Sequence, residues 1–190
     1  MYRAVAWKAL RQGLSLDDEE AVGALARKCN IQLLGTVEDP RIVIDATDVT
    51  GEVADPEVAR AASIVSAIPA VRRALVARQQ QMGAGGGVVM EGRDIGSRVF
   101  PEAEVKIFLD ASAIDRSRRR QGQDARRGTT APLETIKAEI EERDRRDATR
   151  DDSPLVISPD AHYLDSTGLS IDEVVDRALR LVVDAEAGRN

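Results

Sequence analysis

Arg143, Asp147 and Arg150 stand at i, i+4 and i+7 in "EIEERDRRDATR", residues 139–150, the spacing that gathers side chains on one face of a helix. Upstream, Leu133, Ile136 and Ile140 share that face, while Arg145 points well away from it. An apolar stripe that turns ionic along its length is leaving a core and entering a cavity, because a buried charge is tolerated only when it is paired or meets an anion. Asp147 can hold both guanidinium groups. The plainer alternative is a surface ladder, which Glu139 with Arg143 and Glu142 with Arg146 would suit. A solvent face, however, would lie opposite the aliphatic stripe and not along it.

A second cluster, "DRSRRRQGQDARRGTT", carries Arg116, Arg118, Arg119, Arg120, Arg126 and Arg127 around Gly122 and Gly128. The planar guanidinium fork matches phosphate oxygens, which lysine meets only as a point charge. Glycine beside such density reads as a mobile segment closing over charge, with a solvated loop or a weak polyanion patch as alternatives. Together the two groups imply several phosphates in one cleft, and phosphoryl transfer is the chemistry that works through charge neutralisation and alignment. Other chemistries lack their residues. The chain has one cysteine and one histidine; Cys29 reads as a small buried hydrophobe and His162 as structural. No "HExxH", "GxSxG" or His/Cys metal cluster occurs, so no protein-borne metal site is expected. No "GxxxxGK[ST]" occurs either, and "GAGGGVV" leads into a strand instead of out of one.

The elements that must position these groups are legible in outline. With 190 residues, 43% hydrophobic and 32% charged, the chain suits a single globular domain and neither disorder nor fibre. Its net charge of −6 argues against nucleic acid as a partner, so the arginines matter by position. No run of 18 apolar residues and no secretory leader are present, which gives the expectation of a cytoplasmic protein without a membrane partner. Two helices open the chain, the first closed by Gly13 and the second capped by Ser15 or Asp17. "NIQLLG" and "RIVIDATDV" suit a small antiparallel ribbon, and two helices broken at Pro69 follow. Then "GVVMEGRD", "EVKIFLDAS" and "AHYLDST" each carry an apolar run to a carboxylate, Glu91, Asp110 and Asp165, with helices between them. That is the grammar of a parallel sheet covered by helices, whose ligands bind at the strands' carboxyl ends.

Taken in order, "MYRAVAWKAL", "DVTGEVADPEV", "EGRDIGSRVFPEAEVKIFLDAS", "EIEERDRRDATRDDSPL" and "LDSTGLSIDEVVDRAL" resemble the bacterial cytidylate kinases over nearly the whole chain. The resemblance implies an α/β fold of the P-loop nucleoside monophosphate kinase type, a three-layer αβα domain over residues 1–190. It also implies a nucleotide-binding insertion within 28–85 and an arginine-rich lid at 115–131. The implied reaction moves the terminal phosphoryl group of ATP, carried with Mg²⁺, to CMP or dCMP in pyrimidine nucleotide metabolism, in a monomer. By the same resemblance Ser63, Arg72 and Asp94 read cytosine, and Arg143 and Asp147 bind the sugar and adjacent groups. Arg3, Arg93 and Arg150 hold the acceptor phosphate, and Tyr2 lines its pocket. Arg116, Arg119 and Arg120 approach ATP from the lid, and Arg93, Arg119, Arg120 and Arg150 act in the transfer itself. The departure is at the start, where the family's first strand and phosphate-binding loop have no counterpart. The chain therefore reads as beginning at an internal methionine, poorly folded and inactive alone, with a catalytically inactive nucleotide-binding remnant as the alternative.

Overall fold

A computed structural model describes residues 1–36, 39–126, 128, 131–149, 152 and 154–188. It divides into two compact units, Met1–Val89 and Met90–Asn190.

The first unit opens with helix α1 (Tyr2–Arg11), whose Ala4, Val5, Ala6 and Ala9 are buried, and Gly13 then turns the chain at φ +65°. Helix α2 (Glu19–Lys28) is capped by Asp18, which accepts from the Ala21 N–H at 3.0 Å. Neither Ser15 nor Asp17 caps it, because only Asp18 stands immediately before the first helical residue. Strands β1 (Ile31–Gly35), β2 (Pro40–Ile44) and β3 (Thr47–Asp48) form an antiparallel ribbon, with Ile31 opposite Ile44 and Ile44 opposite Thr47. The turn from β2 to β3 is the two-residue Asp45-Ala46, both at positive φ (46° and 66°). This is the geometry that matches strand twist in a tight hairpin, normally supplied by Asn-Gly. Helices α3 (Pro56–Val65), capped by Asp55, and α4 (Pro69–Gly83) each begin on a proline, where the missing N–H costs nothing. Val5, Val22, Ile44, Val49, Val65, Val71 and Leu75 make the core of this unit.

Where the first unit ends and the second begins, the segment at 87–91 is not a strand, contrary to expectation. A strand needs a neighbour for its N–H and C=O groups; none flanks this segment among the described residues, and Val88 and Val89 are exposed. The chain then makes one π-type turn over Ile95–Val99, in which the Ile95 carbonyl accepts from the Phe100 N–H at 2.7 Å. Gly92 permits that turn, since a Cβ there would lie 2.8 Å from the Ile95 side chain. Strand β4 (Ile107–Asp110) pairs in parallel with β5 (His162–Asp165), Asp110 opposite Asp165. Helix α5 (Ala113–Arg126) leaves the end of β4 and packs on α6 (Leu133–Thr149). Helix α7 (Ile171–Ala187) starts in a capping box of Ser170 and Glu173, and its Ile171, Val175, Leu179 and Val183 are exposed. Among the described residues no helix is long and apolar enough to cross a membrane.

Candidate functional site

Within the first unit, four of the expected site residues sit on helices. Arg72, on α4, is 1% exposed; its guanidinium lies 5.8 Å from the Tyr2 ring centroid and its Nη1 donates to the Ser66 carbonyl at 3.2 Å. A cation over an aromatic face in a dry setting is well stabilised. Arg3, one residue along α1 from Tyr2, donates from Nη1 to the Val53 carbonyl at 2.8 Å. Ser63 is buried on α3.

The second unit holds the denser cluster. Asp147 is the buried end of the ionic stripe on α6, with a side chain 4% exposed. It accepts from Arg93 Nε at 2.8 Å and lies 3.8 Å from Arg143 Nε. One turn back, Asp144 accepts from Arg93 Nη2 through one oxygen and from Arg116 Nη1, at 2.5 Å, through the other. Arg116 is also fixed by Nε to the Ala111 carbonyl at 3.0 Å. Thus Arg93 before the π-type turn, Arg116 in the first turn of α5, and Arg143 on α6 meet two carboxylates. Arg93, Asp94, Arg116, Arg143 and Asp144 line one side of a cavity of about 570 Å³, and residues 105–110, including all of β4, line another.

The electrostatics follow the packing. Burial opposes the charge of Arg93, but bonds to Asp144 and Asp147 outweigh it and hold the guanidinium above its ordinary pKa. Arg143 moves the other way, lowered first by desolvation and then by the charge of Arg93. Burial works against the Asp144 carboxylate, yet the hydrogen bonds from Arg116 and Arg93 keep it below the usual range. Arg93 and Asp144 thus favour each other's charged form, and guanidinium N–H groups at the cavity wall suit the oxygens of an anionic ligand.

Several sequence expectations take a different local form. The arginine-rich segment is a regular helix, α5, through Gly122 and as far as Arg126. Arg119 donates to the Ser166 hydroxyl and carbonyl at 3.0 and 2.6 Å, at the carboxyl end of the sheet. Arg120 pairs with Asp124 at 2.8 Å. Asp110 and Asp165 accept from the backbone N–H groups of Ala111 and Thr167 at 2.8 and 2.9 Å, which is the work of turn residues. Arg145 faces outward, 65% exposed, paired with Glu142. Asp94 is buried. Arg150 lies outside the described residues, as do Arg127 and the threonines at 129 and 130. The i, i+4, i+7 spacing does not single out Asp144. It lies about 80° from Ile136 on a helical wheel, at the edge of the apolar stripe, and only the approach of α5 brings it into use. Among the described residues no group of three or more His, Cys, Asp or Glu side chains is placed to hold a metal ion.

Residues 1–184 match the cytidylate kinase family. The chain is 47% identical over 184 residues to a bifunctional pantoate ligase/cytidylate kinase of Synechococcus sp. (strain JA-2-3B'a(2-13)), a match covering 95% of this chain and 34% of that protein. It is 44% identical over 182 residues to a cytidylate kinase of Geobacillus sp. (strain WCH70), covering 96% of this chain and 81% of the relative. To the cytidylate kinase of Bacillus subtilis (strain 168) it is 42% identical over 182 residues, with the same coverage of 96% and 81%. The chain thus spans about a third of the bifunctional relatives and about four fifths of the single-function ones. With a parallel strand pair, an antiparallel ribbon and an arginine-rich ion-pair network beside the cavity, the chain belongs to the cytidylate kinase family.

Proposed function

We propose that the protein transfers the terminal phosphoryl group of MgATP to CMP or dCMP, giving ADP and CDP or dCDP, as a cytoplasmic monomer of pyrimidine nucleotide metabolism. The observation that carries this reading is the cluster of Arg93, Arg116 and Arg143 around Asp144 and Asp147 at the cavity wall. Guanidinium groups held at a cavity wall present the planar N–H forks that phosphate oxygens accept from. In this reading Arg3, Arg93 and Arg150 each have an acceptor-phosphate role, and Tyr2 a lining one beside Arg3. Ser63, Arg72 and Asp94 supply the mixed donors and acceptors that a cytosine edge requires. Arg143 and Asp147 take the sugar, and Arg116, Arg119 and Arg120 on α5 serve the phosphates in transfer. The segment 115–131 acts as the lid, 28–85 as the nucleotide-binding insertion, and 1–190 as one domain.

Base choice is the sharpest test. A purine adds a second ring and leaves the edge-reading groups unsatisfied in a closed site, so CMP and dCMP should bind at least tenfold more tightly than AMP and GMP, in line with roughly 1–3 kcal/mol for an unmade buried hydrogen bond. Calorimetric titration with the four monophosphates measures this, and AMP binding as tight as CMP binding overturns it. A nucleotide-binding chain without turnover is the second reading, favoured by the lack of a "GxxxxGK[ST]" sequence in these 190 residues. Selective CMP binding without ADP release in a coupled assay would identify it.

A further inference from the structure

Asp144 stands between two arginines that come from separate elements. Arg93 arrives from the turn before Ile95, and Arg116 from the start of α5. Each guanidinium has one tie of its own, Arg93 Nε to Asp147 at 2.8 Å and Arg116 Nε to the Ala111 carbonyl at 3.0 Å. Each has a second tie to Asp144, one to Oδ1 and the other to Oδ2. Arg93 Nη1 and Arg116 Nη2 donate to none of the described residues, and both side chains line the cavity. Two like charges so close repel unless an anion stands between them. The carboxylate therefore does more than neutralise: it ties the two forks to one group, one through each oxygen.

We propose that Asp144 is a positioning residue that couples the arginine-bearing helix α5 to the acceptor-phosphate arginine, holding Arg116 and Arg93 so that both address one phosphate group in the cavity. The inference rests on the reading of this cavity as a monophosphate site and extends it. Asp144 itself touches no ligand in this arrangement. It supplies preorganisation, which removes the cost of bringing two cations together when the phosphate arrives. Arg116 thereby serves the acceptor as well as the lid. The competing possibility is electrostatic: Asp144 could instead occupy the arginines that a phosphate would claim.

The two differ in sign. Asp144→Asn keeps the shape and removes the charge. If Asp144 positions the arginines, the variant loses on the order of tenfold in CMP affinity, the scale of one charge-assisted contact, while cytidine, which lacks the phosphate, binds within about twofold of wild type. Calorimetry with CMP, AMP and their nucleosides reads this, beside thermal melts of each protein. Unchanged or tighter CMP binding overturns the proposal, since a mere competitor would release the arginines. Equal losses for CMP and cytidine also overturn it, because they mark a general loss of structure. Where Asp144→Asn does not fold, Arg116→Ala carries the test: it too must weaken CMP and spare cytidine, and unaltered CMP affinity sinks the coupling. Should AMP bind as tightly as CMP while Asp144→Asn weakens both relative to their nucleosides, the cytosine reading falls and the positioning role stands.

Discussion

Removing the charge of Asp147 while keeping its shape tests whether the ionic end of α6 belongs to a cavity or to a solvent ladder. Asp147 is 4% exposed, accepts from Arg93 at 2.8 Å and faces Arg143 at 3.8 Å. Breaking a fully buried pair costs about 3–5 kcal/mol. That figure is an upper bound here, because Arg93 is 34% exposed, keeps Asp144 as a second partner, and can still donate to an asparagine carbonyl. A loss of about 2 kcal/mol remains for Asp147→Asn, which for a chain of this size lowers Tm by about 4–8 °C. Arg145→Ala, on the same helix, removes a side chain 65% exposed and paired with a Glu142 that is 47% exposed; it should leave Tm close to that of the parent protein. Urea and thermal melts of both variants at low and high salt give the comparison. The Asp147 effect should persist in salt, since buried pairs are poorly screened. Equal losses for the two variants, or a loss for Asp147→Asn that salt abolishes, would refute the assignment of the stripe to the interior.

Two further outcomes follow from the ribbon. Ala46 sits at φ +66° in a two-residue hairpin turn, so Ala46→Gly should stabilise the protein by about 0.5–1 kcal/mol, net of glycine's greater freedom in the unfolded chain; a lower Tm would refute the turn geometry. Asp48 is held at about 2, below its ordinary 3.8, first by the Thr50 hydroxyl, then by the Thr50 N–H and Arg41. Its folded-state pKa is depressed, so its contribution is present above about pH 4 and is lost as the pH falls from about 4 to about 2. Melts across that window should show a slope that Asp48→Asn reduces, and identical pH profiles for the two proteins would count against the contact.

Local chemistry made much of the fold legible. Proline at the first position of α3 and α4, glycine after α1, and helical spacing of Val5, Ala6 and Ala9 are signals that act within a few residues, and the helices follow them. The 87–91 segment shows where such signals stop. Its apolar run has the composition of a buried strand, but a strand is a relation between neighbours, and composition says nothing about whether a neighbour is in place. The Asp45-Ala46 turn is a milder case. Nothing in "DA" announces a tight hairpin; the turn is stabilised by what surrounds it, including the Asn30 N–H that donates to Asp45 at 2.7 Å.

The candidate site divides along the same line. The face of α6 carrying Asp147 can be drawn from a wheel, because burial of an aliphatic stripe constrains whatever continues it. Asp144 cannot, since its use depends on Arg116, 28 residues earlier, and on Arg93, 51 residues earlier. What links the three is the packing of α5 on α6 and the glycine-permitted turn at Gly92, neither of which has a period in the sequence. Arginine density did point to α5, and the helix sorts it. Arg118 is exposed, Arg119 is tied to Ser166, Arg120 to Asp124, and Arg116 is directed to the cavity. A helix turns successive side chains by about 100°, so a run of arginines must scatter around it, and each is held by whatever carboxylate or carbonyl it meets, Asp124 on α5 itself for Arg120 and Asp144 on α6 for Arg116. It is therefore two fixed partners, Asp144 and the Ala111 carbonyl, that hold Arg116, among the arginines of this segment, at the cavity wall.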